Sequence, residues 1–178
     1  MTKSLHEEFG ENEQSTGGSD DLVRRCKELL YTMPSGRPHV DFLNLHRVPI
    51  RVENGLQPGY RVENHALIVL TCPPPPDIPL YDMTFHLACA ARVVELHTQT
   101  FLSPEMKDSR QWAHPQLAEP FEIMLVICKL AYDMNYFSKN PEVEKFLKKN
   151  DYHKIYEAYA TQDSAMENLM LESFNSRN

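Results

Sequence analysis

The sequence predicts an α+β fold: a small N-terminal β-domain of about three strands, then a C-terminal α-helical bundle, joined by a proline-rich linker. Three observations predict it. In RVPIRVEN, Val48, Ile50 and Val52 alternate with Arg47, Arg51 and Glu53, which is the period of a half-buried strand. Pro73 to Pro76 form an unbroken run. From Ile78 onward apolar residues recur at steps of three and four, the period of a helix.

Each element follows in order. Residues 1–36 read as a mostly disordered tail, GENEQSTGGS being polar and glycine-rich, with a short helix near 20–32. Ser19, Asp20 and Asp21 offer N-caps for it, and Leu22, Cys26, Leu29 and Leu30 share one face before Met33-Pro34-Ser35-Gly36 stops it. Residues 37–72 form the β-domain, with VDFLNL (40–45), RVPIRVEN (47–54) and Tyr60–Thr71 as strands. Pro49 has no amide to donate, so its strand belongs at an edge. The tetrapeptide RVEN occurs twice, ten residues apart, which fits two strands of one hairpin. So small a sheet must lean on something else.

Residues 73–77 read as a stiff polyproline II spacer, and 78–178 as the bundle. Leu80, Met83, Leu87, Ala91, Val94 and Phe101 make the stripe of its first helix, which Ser103-Pro104 closes or kinks. DSRQWAHPQ is a loop. In the next helix, about 117–137, Glu122, Lys129 and Asp133 fall on one narrow stripe and every other face is apolar. Such a helix is either central in its own bundle or completed by another chain, and the few, short neighbours favour the second. Asn140-Pro141 caps a third helix; Tyr152 to Tyr159 continue the pattern, and Met166, Leu169, Met170 and Phe174 belong to a last helix.

Composition narrows the function. The chain has 178 residues, 42 % hydrophobic and 24 % charged, enough to bury a core. Its net charge of −7 and pI near 5.6 argue against a protein built to grip a phosphate backbone, so no strong direct nucleic-acid binding is expected. Lys145, Lys148 and Lys149 interleave with Glu142 and Glu144 and read as a solvated helix face. No apolar run approaches the roughly 20 residues of a membrane span, and the first residues lack a signal core. Cys26, Cys72, Cys89 and Cys128 form no CxxC pair and read as free thiols of a reducing compartment, cytosolic or nuclear.

Little chemistry is written in the residues. His86, Cys89 and His97 invite a zinc reading, but eleven helical residues span about 16 Å, whereas ligands of one zinc each sit about 2 Å from it. Cys128 lies in the most apolar helix, where a thiolate is disfavoured. No metal, cofactor or catalytic residue is assigned, and the chain reads as no enzyme. Tyr132, Tyr136, Tyr152, Tyr156 and Tyr159 lie on helices among aliphatics without interleaved arginine, which points to a core edge or a protein interface rather than a base-stacking platform.

Ile78-Pro79-Leu80-Tyr81-Asp82-Met83, opening the first bundle helix, resembles the L-P-L-W-L-A phrase of the GINS complex subunits of the Psf-three type. Asp41-Phe42-Leu43-Asn44-Leu45 followed by Val48-Pro49-Ile50-Arg51-Val52 is similar to that family's opening strand region. The likeness spans about 40–165; Tyr81 stands for Trp, Asp82 for an apolar residue, and the first 36 residues are extra. The resemblance implies a nuclear, non-enzymatic scaffold: one of four related GINS subunits, joined with the Mcm ring and its accessory factor in the replicative helicase. The partner interface is then expected at Pro79, Leu80, Tyr81, Phe121, Leu125 and Tyr132. The alternative is an unrelated helical adaptor that docks a peptide or another factor. An enzyme with a composite site is a distant third.

Overall fold

The computed structural model describes residues 16–76, 78–102, 115–136 and 139–175. Of the mostly disordered tail expected over 1–36, residues 1–15 lie outside them, as do the expected Ser103-Pro104 break and most of the DSRQWAHPQ loop; Thr16–Tyr31 is instead one helix. Two helices, α1 (Thr16–Tyr31) and α2 (Arg37–Leu45), precede a three-stranded sheet, β1 (Ile50–Asn54), β2 (Gly59–Glu63) and β3 (Leu67–Cys72). Five helices follow: α3 (Leu80–Leu102), α4 (Pro115–Asn135), α5 (Pro141–Lys149), α6 (His153–Ala160) and α7 (Met166–Asn175). The α+β class and the three-strand sheet ahead of a helical part are as the sequence predicts.

The strand assignments differ in three places. VDFLNL is helical: Pro38 sits in the first turn, and Val40 and Leu43, one turn apart, are buried. Packing on α1 and α3 overrides the β-like look of that stretch. Tyr60–Thr71 is two strands, reversed at Asn64 and His65, both at positive φ (51° and 61°), with Ala66 N–H donating to the Glu63 carbonyl at 3.1 Å. That is the backbone of a type I′ turn, built here without glycine. Finally, the two RVEN strands do not pair with each other. The sheet order is β1-β3-β2, with β1 parallel and β2 antiparallel to β3.

The repeat still has a physical meaning. Arg51, Val69 and Arg61 stand side by side in register. Val69, on the face away from the helices, is fully buried, because two arginine stems flank it. Arg51 and Arg61 each meet both Glu53 and Glu63, at 2.9 to 3.4 Å, closing a ring of four ion pairs. On the opposite face Ile68 and Leu70 are buried, with Ile50, Val52, Tyr60 and Val62 packed beside them against the helices. The β1–β2 connection crosses the end of β3, where Gly55 N–H donates to the Cys72 carbonyl at 3.0 Å. A Cβ on Gly55 would lie 2.1 Å from Thr71 Cγ2, so this crossing calls for glycine.

The proline run turns rather than extending: Pro75 and Pro76 lie in a turn with a cis peptide between them. Beyond it α3 is the hub. Met83, Phe85, Leu87 and every residue from Ala88 to Ala91 are buried, and α3 touches α1, α2, β2, β3, α4 and α5. Among its described residues the one buried polar side chain, Thr84, donates to the Leu80 carbonyl at 2.7 Å. One continuous apolar core runs from α1 through the sheet to α5. A second, smaller core joins Phe121, Met124 and Cys128 of α4 to Ile155 and Met170.

The expectation that α4 needs another chain to cover it is therefore corrected. Val126, Ile127, Leu130 and Ala131 face the first core, and Phe121, Met124 and Cys128 the second. Helices α3, α5, α6 and α7 cover it from within the chain. The periodicity marks α6 and α7 as helices, but only the fold shows that both pack on α4. Helix α5 begins as predicted, with Asn140 Oδ1 accepting from Glu142 N–H at 3.0 Å and Pro141 in the first turn.

Candidate binding groove

The end of α1, the start of α3 and the end of α4 meet around a groove of about 600 Å³. Leu29, Thr32, Met33 and Pro34 form one wall; Tyr81, Tyr132, Asp133, Met134, Tyr136 and Asn140 form the rest. Local structure fixes this shape. Ser35, 98 residues before Asp133 in sequence, donates to its Oδ2 through both the backbone N–H (2.8 Å) and Oγ (2.6 Å). That pair of hydrogen bonds ties the α1–α2 turn to α4. At the other end Asn135 Oδ1 accepts from Asn140 N–H at 2.8 Å, and Asn135 Nδ2 donates to Tyr156 Oη at 3.1 Å. These bonds set the α4–α5 corner.

Two rings at the groove are wet. Tyr132 is 42 % exposed and Tyr136 66 %, with centroids 6.4 Å apart and planes at 63°. Tyr132 also meets Tyr159 edge-on at 6.1 Å. Large aromatics left this open are uncommon among core-forming residues and enriched at interfaces. Tyr152, Tyr156 and Tyr159 instead pack against the cores.

Of the residues expected at an interface, Tyr81 and Tyr132 line the groove. Pro79 and Leu80 are half-buried at the start of α3, and Leu80 packs on the first core. Leu125 is half-buried on α4. Phe121 is corrected: it is 4 % exposed, inside the second core, so it has no surface to offer a partner. Asp133 is the groove residue missed. Its neighbour Ser35 is remote in sequence, and nothing local marks the pair.

The other reactive groups lie elsewhere and are quenched by burial. Burial pushes the thiols of Cys89 and Cys128 up to about 12 and that of Cys26 up to about 11, and raises Cys72. All four are therefore protonated near neutrality, a poor state for nucleophilic attack. His86 stands between Tyr60 and Phe146, while His97 approaches His65, Nδ1 to Nδ1, at 2.9 Å, so the two helix histidines serve different surroundings. Among the described residues no three His, Cys, Asp or Glu side chains are grouped to hold a metal ion. Arg92, bonded to Glu95 (2.8 Å) and Glu122 (2.9 Å), cross-links α3 to α4. No described helix is long and apolar enough to cross a membrane.

Burial of His86 sets a pH dependence. Loss of hydration, then repulsion from Lys149, lowers its pKa from 6.5 to about 4. The unfolded chain accepts a proton at its ordinary pKa that the folded chain refuses until about 4. Stability is thus full above about pH 6.5 and falls as the pH drops toward 4. His39, lowered chiefly by burial, acts in the same direction. Urea midpoints should fall between about pH 7.5 and about pH 5, and His86→Leu should flatten that slope.

The fold thus defines an α+β protein whose groove is lined by tyrosines. No family model, curated protein or solved structure matches the chain.

Proposed function

We propose that this chain is a non-enzymatic binding module, a helical adaptor that docks a segment of another protein in the tyrosine groove. The observation that carries this reading is the pair of wet rings, Tyr132 and Tyr136, held at the rim of a groove whose floor is pinned by Ser35 and Asp133. Aromatic anchors in a preformed concavity are where binding energy concentrates at protein interfaces. Helix α4, the most apolar of the helices, packs on two cores of its own chain, so the module does not depend on a partner to complete them.

A narrower second reading is favoured by the Ile78–Met83 phrase: a scaffold subunit of a nuclear GINS-type heterotetramer, bound to three related subunits and, through them, to the Mcm ring and its accessory factor. Tyr81 belongs both to that phrase and to the groove, so the two readings share a surface.

Affinity purification of the tagged chain from its own cells tests both, beside the Tyr132→Ala/Tyr136→Ala variant. A discrete set of chains should co-purify with the parent and fall about tenfold or more with the variant, as for loss of aromatic anchors. Identical sets at identical yield would rule the groove out. The GINS-type reading requires three related subunits in that set, and a set without them removes it.

A further inference from the structure

We infer that the groove is a lysine-docking site, taking the ammonium of a lysine that projects from the partner's peptide between the wet tyrosine rings and Asp133. The inference rests on the groove being the docking surface and adds what it selects.

Three observations carry it. The first is charge. Among the described residues Asp133 is the one acidic residue lining the groove, and neither Lys nor Arg lines it. Asp133 takes part in no ion pair among the described residues; its described hydrogen bonds come from Ser35, a neutral donor, and both go to Oδ2. A half-buried carboxylate in an aromatic wall, without a cation, is complementary to one.

The second is the ring geometry. Tyr132 and Tyr136 meet at 63°, forming a corner. An ammonium in such a corner sees the negative face of a ring, and that attraction grows as water is excluded. The third decides between the two natural cations. Ser35 holds Oδ2 twice, leaving Oδ1 to accept from a ligand. A guanidinium fork works best with two carboxylate oxygens, whereas an ammonium is a point charge satisfied by one.

The test uses the full chain, isotope-labelled, titrated with short blocked peptides of shared glycine, serine and alanine flanks. Their central residue is lysine, norleucine, trimethyl-lysine or arginine, and a neutral proline-rich peptide is added. The lysine peptide should shift the amides of residues 132–136. It should bind about tenfold more tightly than the norleucine peptide, a difference of about 1.4 kcal/mol. Asp133→Asn keeps an oxygen for Ser35 and should erase that preference. Tyr136→Ala, at an exposed ring, should weaken lysine binding several-fold.

Equal binding of lysine and norleucine overturns the inference. So does parent-like binding by both variants, tighter binding of the trimethyl-lysine, arginine or proline-rich peptide, or no binding by any peptide at millimolar concentration. If the peptides fail while Tyr132→Ala/Tyr136→Ala still strips the co-purifying chains, lysine selection falls and the docking reading stands. If both fail, the groove is no docking surface.

Discussion

Phe85→Ala should cost about 3–5 kcal/mol of folding free energy, as truncation of a buried aromatic does. Phe85, on the hub helix α3, is 0 % exposed, and Phe146, on α5, is 2 % exposed. Their rings stack face to face, with centroids 4.2 Å apart and planes at 7°. Removing one ring leaves a cavity between α3 and α5, and the contacts of α3 with six other elements keep it from collapsing inward. A domain of ordinary stability has about 5–15 kcal/mol in total, so this single change uses a large share of it. The urea midpoint should fall steeply with little change in slope. Phe146→Ala should cost a similar amount, and the double variant about 0.5–1.5 kcal/mol less than the sum, since either truncation already destroys the stack. A Phe85→Ala chain within about 1 kcal/mol of the parent would mean that α5 does not pack on α3 as described.

Much of this architecture is local and was therefore legible. The Asn140-Pro141 start of α5 is read correctly because a cap and a first-turn proline act within one turn. The Val48–Val52 alternation marks β1 for the same reason. What failed was decided by residues far apart. VDFLNL has a strand's composition, but Val40 and Leu43 find their burial against α1 and α3, and only a helix presents both at once. The reversal at Asn64-His65 lacks the glycine that announces a type I′ turn, although asparagine tolerates positive φ better than most residues. The two RVEN strands were recognised as related, yet the strand between them, β3, comes later in the chain, so no local signal places it there.

The groove divides along the same line. Tyr81 and Tyr132, expected at an interface from the resemblance, both line the groove. Phe121 looked equivalent and is buried, since Ile155 and Met170, which share its core, lie far along the chain on α6 and α7. Asp133 looked like one member of a solvated stripe with Glu122 and Lys129. Only the fold brings Ser35 to it and leaves it facing tyrosines instead of a cation.

Gly36→Ala should destabilise the chain by about 3 kcal/mol, the upper part of the usual cost of overpacking. Backbone conformation is not the reason: Gly36 has φ −84° and ψ −33°, which any residue adopts. The obstacle is α1. A Cβ here would lie 2.3 Å from the Leu30 carbonyl oxygen and 2.9 Å from its carbon. These are backbone atoms and cannot rotate aside. Leu30 itself is fully buried, and its carbonyl accepts from Met33 N–H at 3.1 Å, so α1 cannot retreat without unpacking. The α1–α2 turn must open instead, and Ser35 is the residue that it would carry away from Asp133. The same substitution therefore has a second expected result: weakened binding at the groove in the fraction that remains folded. Gly18→Ala is the control. Its Cβ meets nothing within 4 Å, and alanine is the better helix former, so that variant should be neutral or up to about 1 kcal/mol more stable. If Gly36→Ala melts like Gly18→Ala, the close approach of Gly36, at the start of α2, to α1 is wrong, and with it the pinned floor of the groove.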